Sequence, residues 1–419
     1  MVDRVVWDSD GGRTYLAGAG RKPRVVSGAV GALLGRLREG DELARREYPE
    51  ATAALESGGW LAPDVVFRKT RPGPHLRRVQ IEVSLRCNLS CSYCYSMSGP
   101  GRKQAMSSDL IRSLVEQADA MGVVTIDFTG GELLLDREWR SYVDIAWAAG
   151  MDITIHTNGT TITADDVRFF QDRHVSAVQV SLDSHVEEVH DAARGHRGAL
   201  RRTLRGLDLL TEASVPVRLS LMAHADNVDS LGETIEYMAG RYPKAMLNVD
   251  RVVATGGALA CDNGLTARRF WQFLTPYLSG NVRAGRVCES PALSDFEPEC
   301  GVAYSFVYIT ADGEIASCPT MTSRENPDFQ GPDARISTLS EAWYDSAFFN
   351  GFRYTNCENV TSCVAGQFCG GGCRSNAYVE TGSLTAPDVV ACNTNKNRTK
   401  VFVDFPTRYA RGDFAVVDR

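Results

Sequence analysis

The stretch VQIEVSLRCNLSCSYCYS, residues 79–96, joins a run of alternating apolar and polar residues to a loop rich in cysteine. The alternation predicts a β-strand with one buried face. The cysteines that follow, Cys87, Cys91 and Cys94, have the spacing CxxxCxxC. We therefore expect the loop after this strand to hold a metal centre with three thiol ligands.

Five further strand-like runs follow the first, and amphipathic segments separate them. The runs are VVTIDFTG, MDITIHTN, AVQVSLDS, VPVRLSLMAH and AMLNVDRVVA. After the first strand, SSDLIRSLVEQADAMG predicts a helix that is capped by Ser107 or Ser108 and ends at Gly122. Strands that alternate with helices indicate a parallel sheet, and six such units predict an α/β fold: a partial (β/α)6 barrel of the TIM type at residues 75–255.

The segment that precedes the barrel has a different pattern. A hairpin is predicted to turn at Gly11 and Gly12, followed by the helix SGAVGALLGRLREG and two shorter helices that end at Gly58 and Gly59. This order predicts a winged-helix-like domain at residues 1–70, with RKTRPGPHLRR as a linker to the barrel. Up to Pro74 the segment has 12 Lys and Arg against 10 Asp and Glu, a weak balance for binding phosphates.

Composition and charge narrow the class of protein. The chain of 419 residues is 43% hydrophobic and 23% charged with a net charge of −7, as expected for a globular protein without a nucleic-acid partner. The amino terminus lacks the pattern of a secretory signal, and no apolar run is long enough to span a membrane. We expect a cytoplasmic protein, in which twelve cysteines favour metal binding or redox chemistry over disulfides.

The other nine cysteines lie at or beyond Cys261. They fall in a region where helical periodicity fades and segments such as QFCGGGCRSNAYVETGS contain little apolar surface, so metal ligation would help them fold. We expect a bridging region at residues 256–299, a cysteine-rich iron–sulfur domain at 300–395 and a tail at 396–419.

Three chemistries fit the cysteine triplet. A structural zinc site normally has four Cys or His ligands, whereas this loop supplies three. A thioredoxin-like CxxC does not account for the cysteine upstream or the barrel context. A [4Fe–4S] cluster has four irons, so three thiolates leave one iron open to a small molecule.

The triplet, with Tyr93 before its last cysteine, resembles the signature of radical S-adenosylmethionine (SAM) enzymes. The resemblance implies that SAM binds the open iron of a [4Fe–4S] cluster held by Cys87, Cys91 and Cys94. One electron then cleaves SAM and produces a 5′-deoxyadenosyl radical.

Three later segments resemble further motifs of this family. FTGGELLL is similar to the GGE motif that meets the SAM ammonium, HTNGT to a common ending of the third strand, and QVSLDSHVEEVHDAARG to the fourth-strand signature that meets the ribose and the SAM carboxylate. Each segment alone is also explained by a turn, a helix cap or a surface charge. The resemblance implies SAM contacts from Tyr93, Gly130, Gly131, Glu132, Asn158, Ser181, Asp183 and Arg194.

The later cysteines resemble the SPASM extension of radical SAM enzymes, which holds two auxiliary [4Fe–4S] clusters. ECGVAYSFVYITADGEIASCP matches its first part, with ADGEI as a hairpin turn, and CVAGQFCGGGC matches its core. The family usually begins this core with CxxC, whereas five residues separate Cys357 from Cys363 here. A zinc ribbon is the alternative. The resemblance implies a first cluster on Cys300, Cys318 and Cys373, with Cys288, Cys261 or no residue as the fourth ligand, and a second on Cys357, Cys363, Cys369 and Cys392.

The pattern of residues 1–65 resembles the leader-binding recognition element of enzymes that modify ribosomally made peptides (RiPPs). We therefore expect a radical SAM/SPASM maturase that crosslinks a precursor peptide in a net two-electron oxidation and takes electrons from a flavodoxin or ferredoxin. The alternatives are a radical dehydrogenase of a small alcohol or of a sulfatase-type Ser or Cys, and a non-catalytic iron–sulfur or zinc regulator that binds DNA. The sequence does not single out a general acid or base among Asp127, His156, Tyr304 and Tyr308.

Overall fold

The computed structural model describes residues 4–9, 13–18, 21–57, 59–62, 65–69, 76–261, 264–278, 301–363 and 371–392. These residues form two sheets. The strands are β1 (Arg4–Ser9), β2 (Arg13–Gly18), β3 (Arg21–Ser27), β4 (Val66–Lys69), β5 (Arg78–Glu82), β6 (Thr125–Thr129), β7 (Asp152–Thr157), β8 (Ala177–Leu182), β9 (Val217–Ala223), β10 (Met246–Arg251), β11 (Phe306–Ile309) and β12 (Ile315–Ala316).

Helices connect most of these strands. They are α1 (Gly28–Arg38), α2 (Glu42–Glu47), α3 (Pro49–Ser57), α4 (Ser108–Met121), α5 (Trp139–Ala148), α6 (Ala164–Asp172), α7 (Glu187–Arg194), α8 (Ala199–Glu212), α9 (Leu231–Arg241), α10 (Ala258–Cys261), α11 (Ala267–Leu278), α12 (Leu339–Asp345), α13 (Ala347–Tyr354) and α14 (Arg374–Thr381). Short 3₁₀ helices lie at Leu133–Leu135 and Pro327–Phe329.

The first sheet has the strand order β3-β2-β1-β4. The expected pairing of a hairpin is present between β1 and β2, while Gly11 and Gly12, predicted for its turn, lie outside the described residues. The three expected helices are present. Strands β3 and β4 were not predicted, and Arg68 and Lys69, assigned to a linker, lie in β4. That strand pairs in parallel with β1, at the opposite end of this segment of the chain, so a distant partner and not local sequence determines it.

The second sheet confirms the predicted α/β fold. Strands β5 to β10 lie side by side in chain order, and each neighbouring pair is parallel. Helix α4 begins as expected, because the side chain of Ser107 accepts a hydrogen bond from the backbone N–H of Leu110. It ends at Gly122, which adopts the left-handed conformation at φ 83°.

The two faces of the barrel sheet differ in polarity. Val79 and Ile81 on β5 are fully buried in the core that the helices cover. Gln80 and Glu82 alternate with them and so point to the opposite face, the interior of the barrel. This interior face also carries Asp127, Thr154 and His156, Gln179, Ser181, Arg218, Ser220 and Asp250 by strand register. The polar interior distinguishes this sheet from parallel sheets that are apolar on both faces.

The cysteine-rich region continues the same sheet. Strand β11 pairs in parallel with β5, and β12 pairs antiparallel with β11. The turn between them includes Gly313 at φ 88°, which corresponds to the predicted ADGEI hairpin. Sequence reasoning did not predict that this hairpin would extend the barrel sheet.

Candidate functional site

The loop of the cysteine triplet folds back on itself at the carboxyl end of β5. Isolated bridges join Ser84 to Ala105 and Arg86 to Gly99, and the N–H of Cys87 donates to the carbonyl of Gly99 at 3.2 Å. The loop therefore lies where the parallel strands end, which is the face at which barrel enzymes assemble their active sites.

Hydrogen-bond donors approach each sulfur of the triplet. Cys87 Sγ accepts from the N–H of Leu89 at 3.4 Å and from Asn158 Nδ2 at 3.8 Å. Cys91 Sγ lies 3.9 Å from Arg194 Nη1, and Cys94 Sγ accepts from the N–H of Ser98 at 3.4 Å. Such donors stabilise thiolates and tune the potential of iron–sulfur clusters, so this donor set fits a thiolate-bound cluster.

Burial disfavours free thiolates at this loop. It raises the pKa of Cys87 to about 11 and that of Cys91 to about 12. Binding of a metal group would therefore release protons from these thiols. Among the described side chains, no three Cys, His, Asp or Glu surround one point as the ligands of a single metal ion do. The assignment of Cys87, Cys91 and Cys94 as ligands stays a prediction.

Glycines let three other segments approach the loop closely. A Cβ atom on Gly131 would overlap the carbonyl of Arg86 and lie 2.9 Å from Cys87 Cβ. A Cβ atom on Gly195 would overlap the carbonyl of Ser90, and a Cβ atom on Gly256 would overlap that of Tyr95. Real Cβ atoms do not approach carbonyl groups so closely, so only glycine fits at these positions. The triplet loop is thus held between the ends of β6, α7 and β10.

Glu132 joins the ends of β6 and β7. It is 0% exposed and accepts hydrogen bonds from Thr157 Oγ1 at 2.8 Å, the N–H of Asn158 at 2.8 Å and the N–H of Leu134 at 3.1 Å. Burial nevertheless raises the pKa of this carboxyl above its ordinary value. All three donors to Glu132 belong to the protein. The predicted contact of Glu132 with the SAM ammonium stays a prediction.

Asn158 connects this strand end to the triplet loop. Its Nδ2 donates to Asn88 Oδ1 at 2.9 Å, and its Oδ1 accepts from the N–H of Thr160 at 2.9 Å. Together with the contact to Cys87, these bonds fix the orientation of the Asn158 amide. Its position beside the loop agrees with the third-strand motif that the sequence suggested.

Asp183 and Arg194, predicted to bind different parts of SAM, bind each other. Arg194 Nε lies 2.7 Å from Asp183 Oδ2, and the hydroxyl of Tyr93 donates to Asp183 Oδ1 at 2.6 Å. Burial acts to raise the pKa of Asp183, but the charge of Arg194 holds it below its ordinary value. The structure thus brings three of the predicted residues into one buried ionic group, while Ser181 lies half-buried on β8.

The second cysteine group is only partly described: Cys288, Cys300 and Cys369 lie outside the described residues, and only the backbone of Cys261 is described. Cys373 caps α14, with its Sγ accepting from the N–H of Asn376 at 3.5 Å. A hydrogen bond of 2.8 Å between Thr320 and Ser375 brings the segment of Cys318 to that of Cys373.

Further contacts bring the segments of Cys357 and Cys392 close to Cys373. The side chain of Asp388 accepts from the N–H of Cys373 at 2.9 Å, and its carbonyl accepts from the N–H of Cys392 at 2.8 Å. A Cβ atom on Gly371 would lie 3.2 Å from the N of Cys357. Cys363 is exposed.

A protein-family model described as the radical SAM superfamily matches residues 81–238. The matched part begins within β5 and ends in α9, and it includes the triplet loop, Glu132 and Arg194. The chain contains a radical SAM domain. The predicted radical SAM domain is thereby confirmed, and the family implies SAM and a [4Fe–4S] cluster as cofactors.

Relatives and solved structures agree with this domain. The chain is 28% identical over 253 residues to the sporulation killing factor maturation protein SkfB of Bacillus subtilis (strain 168), which covers 57% of the chain and 59% of SkfB. The chain therefore spans less than two thirds of that relative. SuiB of Streptococcus suis bound to SAM has a TM-score of 0.67 at 16% identity, over 94% of this chain and 99% of SuiB.

Two more solved structures show the same fold. SuiB bound to the precursor peptide SuiA has a TM-score of 0.67 at 15% identity, over 94% of this chain and 99% of that chain. Native anSMEcpe with bound AdoMet has a TM-score of 0.61 at 17% identity, over 80% of this chain and 99% of that chain. Because the SuiB likeness covers nearly the whole chain, the shared fold extends beyond the radical SAM domain into the cysteine-rich region.

Sequence reasoning missed a histidine beside the radical SAM domain's predicted SAM site. His224, directly after β9, is 1% exposed and its ring stacks on that of Tyr93 with the centroids 5.6 Å apart. Asn227, in the same loop, donates to the carbonyl groups of Asp183 and Met222, each at 2.8 Å. The signal was the polar run HADN at the end of a predicted strand.

In the part of the chain that the structure describes, no helix has the length and apolar character to span a membrane.

Proposed function

We propose that the protein is a peptide maturase that takes a hydrogen atom from a ribosomally made precursor peptide and closes an intramolecular crosslink. Cys87, Cys91 and Cys94 would hold the [4Fe–4S] cluster, which when bound supplies the electron that converts SAM to a 5′-deoxyadenosyl radical. The net reaction removes two hydrogens from the peptide.

The residues around the loop have separate tasks in this proposal. The Asp183–Arg194 pair fixes the hydroxyl of Tyr93, and Glu132 fixes the strand ends from which Thr157 and Asn158 project. SAM would bind in the space bordered by Tyr93, Gly130, Gly131, Glu132, Asn158, Ser181, Asp183 and Arg194. Donors to the three sulfurs would adjust the reactivity of the bound cluster.

The cysteine-rich region would hold two auxiliary [4Fe–4S] clusters with the ligand sets expected from the sequence. Such clusters would accept the electron that leaves the peptide when the crosslink closes. A flavodoxin or ferredoxin would supply the electron that starts each turnover, and we propose a cytoplasmic site of action.

The observation that carries the choice of a peptide is the amino-terminal sheet of β1 to β4. Among the described strands, β3 is hydrogen-bonded on one side only, to β2. An edge of this kind accepts an extended peptide as an additional strand through main-chain hydrogen bonds. The likeness to SuiB bound to its precursor peptide and the maturation role in the name of SkfB support the same choice.

Anaerobic co-expression with each short open reading frame beside the gene tests the proposal. High-resolution mass spectrometry should find one peptide lighter by two hydrogens, and fragmentation should locate a bond between two side chains. The same peptide should keep its mass beside the C87A/C91A/C94A variant. If every peptide keeps its mass while the purified protein forms 5′-deoxyadenosine, the peptide proposal fails and a small-molecule dehydrogenase replaces it.

A further inference from the structure

We propose that the carboxylate of Asp250 accepts the proton released when the crosslink closes. This inference rests on the proposed maturase function and names a catalytic residue for it. The sequence did not single out Asp250, because nothing near it in the chain resembles a motif.

Asp250 lies at the mouth of the barrel. It is the penultimate residue of β10, and by register it points to the interior face beside Met222 on β9. The side chain of Asp250 is exposed, yet the surrounding protein raises the pKa of its carboxyl by desolvation. Its carboxylate is therefore accessible from the interior face of the barrel.

The neighbours of Asp250 connect it to both cysteine groups. Met222 packs, as Cys91 does, against the hydrophobic cluster that includes Tyr93, and adjacent strands lie about 4.8 Å apart. On the other side, the next residue, Arg251, donates to Asn376 Oδ1 of α14 at 3.1 Å and forms an ion pair with Glu380 of the same helix. The side chain of Asp250 therefore faces the proposed site of radical formation, whereas Arg251, whose side chain points to the opposite face, links the same strand end to the helix capped by Cys373.

Other carboxylates of the barrel interior and its strand ends already have partners, and three of the partners are arginines. The engaged groups are Glu82 with Arg324, Asp127 with Arg78, Asp183 with Arg194, and Glu132 with its three donors. For Asp183, the charge of Arg194 holds the pKa below its ordinary value and weakens this carboxylate as a base. The side chain of Asp250 has no hydrogen bond or ion pair to any residue in the described ranges, so its carboxylate oxygens are available to a substrate.

The candidates that the sequence offered are less suited to this task. Tyr308 is fully buried, and Tyr304 donates its hydroxyl to the carbonyl of Arg353 at 2.6 Å. Burial lowers the pKa of His156 to about 4, which makes it a weak base. A general base works best when its pKa approaches the operating pH, and desolvation moves Asp250 in that direction.

The proton to be accepted follows from the balance of the reaction. Removal of a hydrogen atom by the deoxyadenosyl radical breaks one C–H bond and leaves a carbon radical on the peptide. Closure then forms one bond to a second side chain and breaks the X–H bond of that side chain, which releases one proton and one electron. The proton goes to Asp250, and the electron goes to a one-electron acceptor of the iron–sulfur type, as proposed for the second cysteine group.

The test uses the reconstituted full-length protein and the peptide identified by co-expression. Asp250→Asn keeps the shape of the side chain and removes its basicity, so the ratio of crosslinked peptide to 5′-deoxyadenosine should fall about 100-fold or more. Asp250→Glu, which keeps a carboxylate, should retain more of this ratio. Asp345→Asn, at an exposed aspartate on α12, is the matched control and should keep the wild-type ratio.

Peptide affinity and iron content separate a catalytic from a structural role. If Asp250→Asn keeps the wild-type ratio, the inference is wrong while the maturase function stands. If the variant loses peptide affinity, measured by fluorescence anisotropy, and iron together with the ratio, Asp250 has a structural role and the inference is wrong as well. If the wild-type protein changes the mass of no peptide, the proposed function fails first.

Discussion

Arg194 and Asp183 form a buried ion pair that also binds the aromatic residue of the cysteine loop. The atoms Nε and Oδ2 lie 2.7 Å apart, and the hydroxyl of Tyr93 donates to the other oxygen of the same carboxylate. Arg194 is 6% exposed and Asp183 0%. The pair thus joins the end of β8, the last residue of α7 and the triplet loop into one unit.

Removal of one charge from this unit should destabilise the fold. Asp183→Ala leaves Arg194 buried without its partner, and such a loss costs about 3–5 kcal/mol of the free energy of unfolding. Urea denaturation of the metal-free protein measures this loss. Asp229→Ala is the control, because Asp229 pairs with Arg269 on the surface at 2.9 Å and should cost at most about 1 kcal/mol. Equal losses in the two variants would contradict the structural role of the buried pair.

The approach of Gly256 to the triplet loop predicts a defect in iron binding. In Gly256→Ala the new Cβ would overlap the carbonyl of Tyr95, and the backbone at φ 53° would be strained as well. The loop must then move away, and we expect less iron per chain after anaerobic reconstitution. Gly240→Ala in α9 meets nothing within 4 Å and should keep both iron and thermal stability. Normal iron content in Gly256→Ala would show that the loop does not need this contact.

The number of clusters is open to direct measurement. Three [4Fe–4S] clusters require about 12 iron atoms per chain, and loss of the triplet should leave about 8. We expect the C87A/C91A/C94A variant to show this decrease in iron analysis, with the remaining clusters visible by electron paramagnetic resonance after reduction. A decrease to no iron at all would show that the cysteine-rich region holds no cluster of its own.

The edge of β3 can be tested with two adjacent prolines. Successive N–H groups of a strand point to opposite sides, so one of Val25 and Val26 donates towards β2 and the other towards the open edge. We expect one of Val25→Pro and Val26→Pro to lower thermal stability, and the other to weaken binding of a fluorescein-labelled precursor peptide. Unchanged peptide affinity in both folded variants would argue against strand addition at this edge.

The sequence pattern predicted the barrel strands and the ends of α4, which depend mainly on neighbouring residues. Alternation in runs such as VQIEVSLR identified all six strands from β5 to β10, because each of these strands has one face in the core. The caps of α4 at Ser107 and Gly122 were predicted for the same reason, since capping uses neighbouring atoms. The motif order also identified residues that the fold brings together around the triplet loop.

Contacts between distant parts of the chain could not be predicted in this way. Strand β11 pairs with β5 although the other five barrel strands lie between them in the sequence, and its short run has no distinctive signal. The stacking of His224 on Tyr93 and the bonds from Arg251 to α14 depend on where two loops end in space. Nothing in the sequence distinguishes Gly256 from other loop glycines, because only the packed structure shows what lies against it.

The place of β11 has a consequence for how the chain folds during synthesis. Strand β5 has β6 on one side and β11 on the other, so until the ribosome has made residues 306–309 the barrel presents an uncovered strand directly before its cysteine loop. A nascent barrel in that state is prone to pair with another chain, and its three thiols lack their final surroundings. We therefore expect the cysteine-rich half to act as an internal chaperone, whose arrival closes the sheet and sets the time at which the first cluster can be inserted safely.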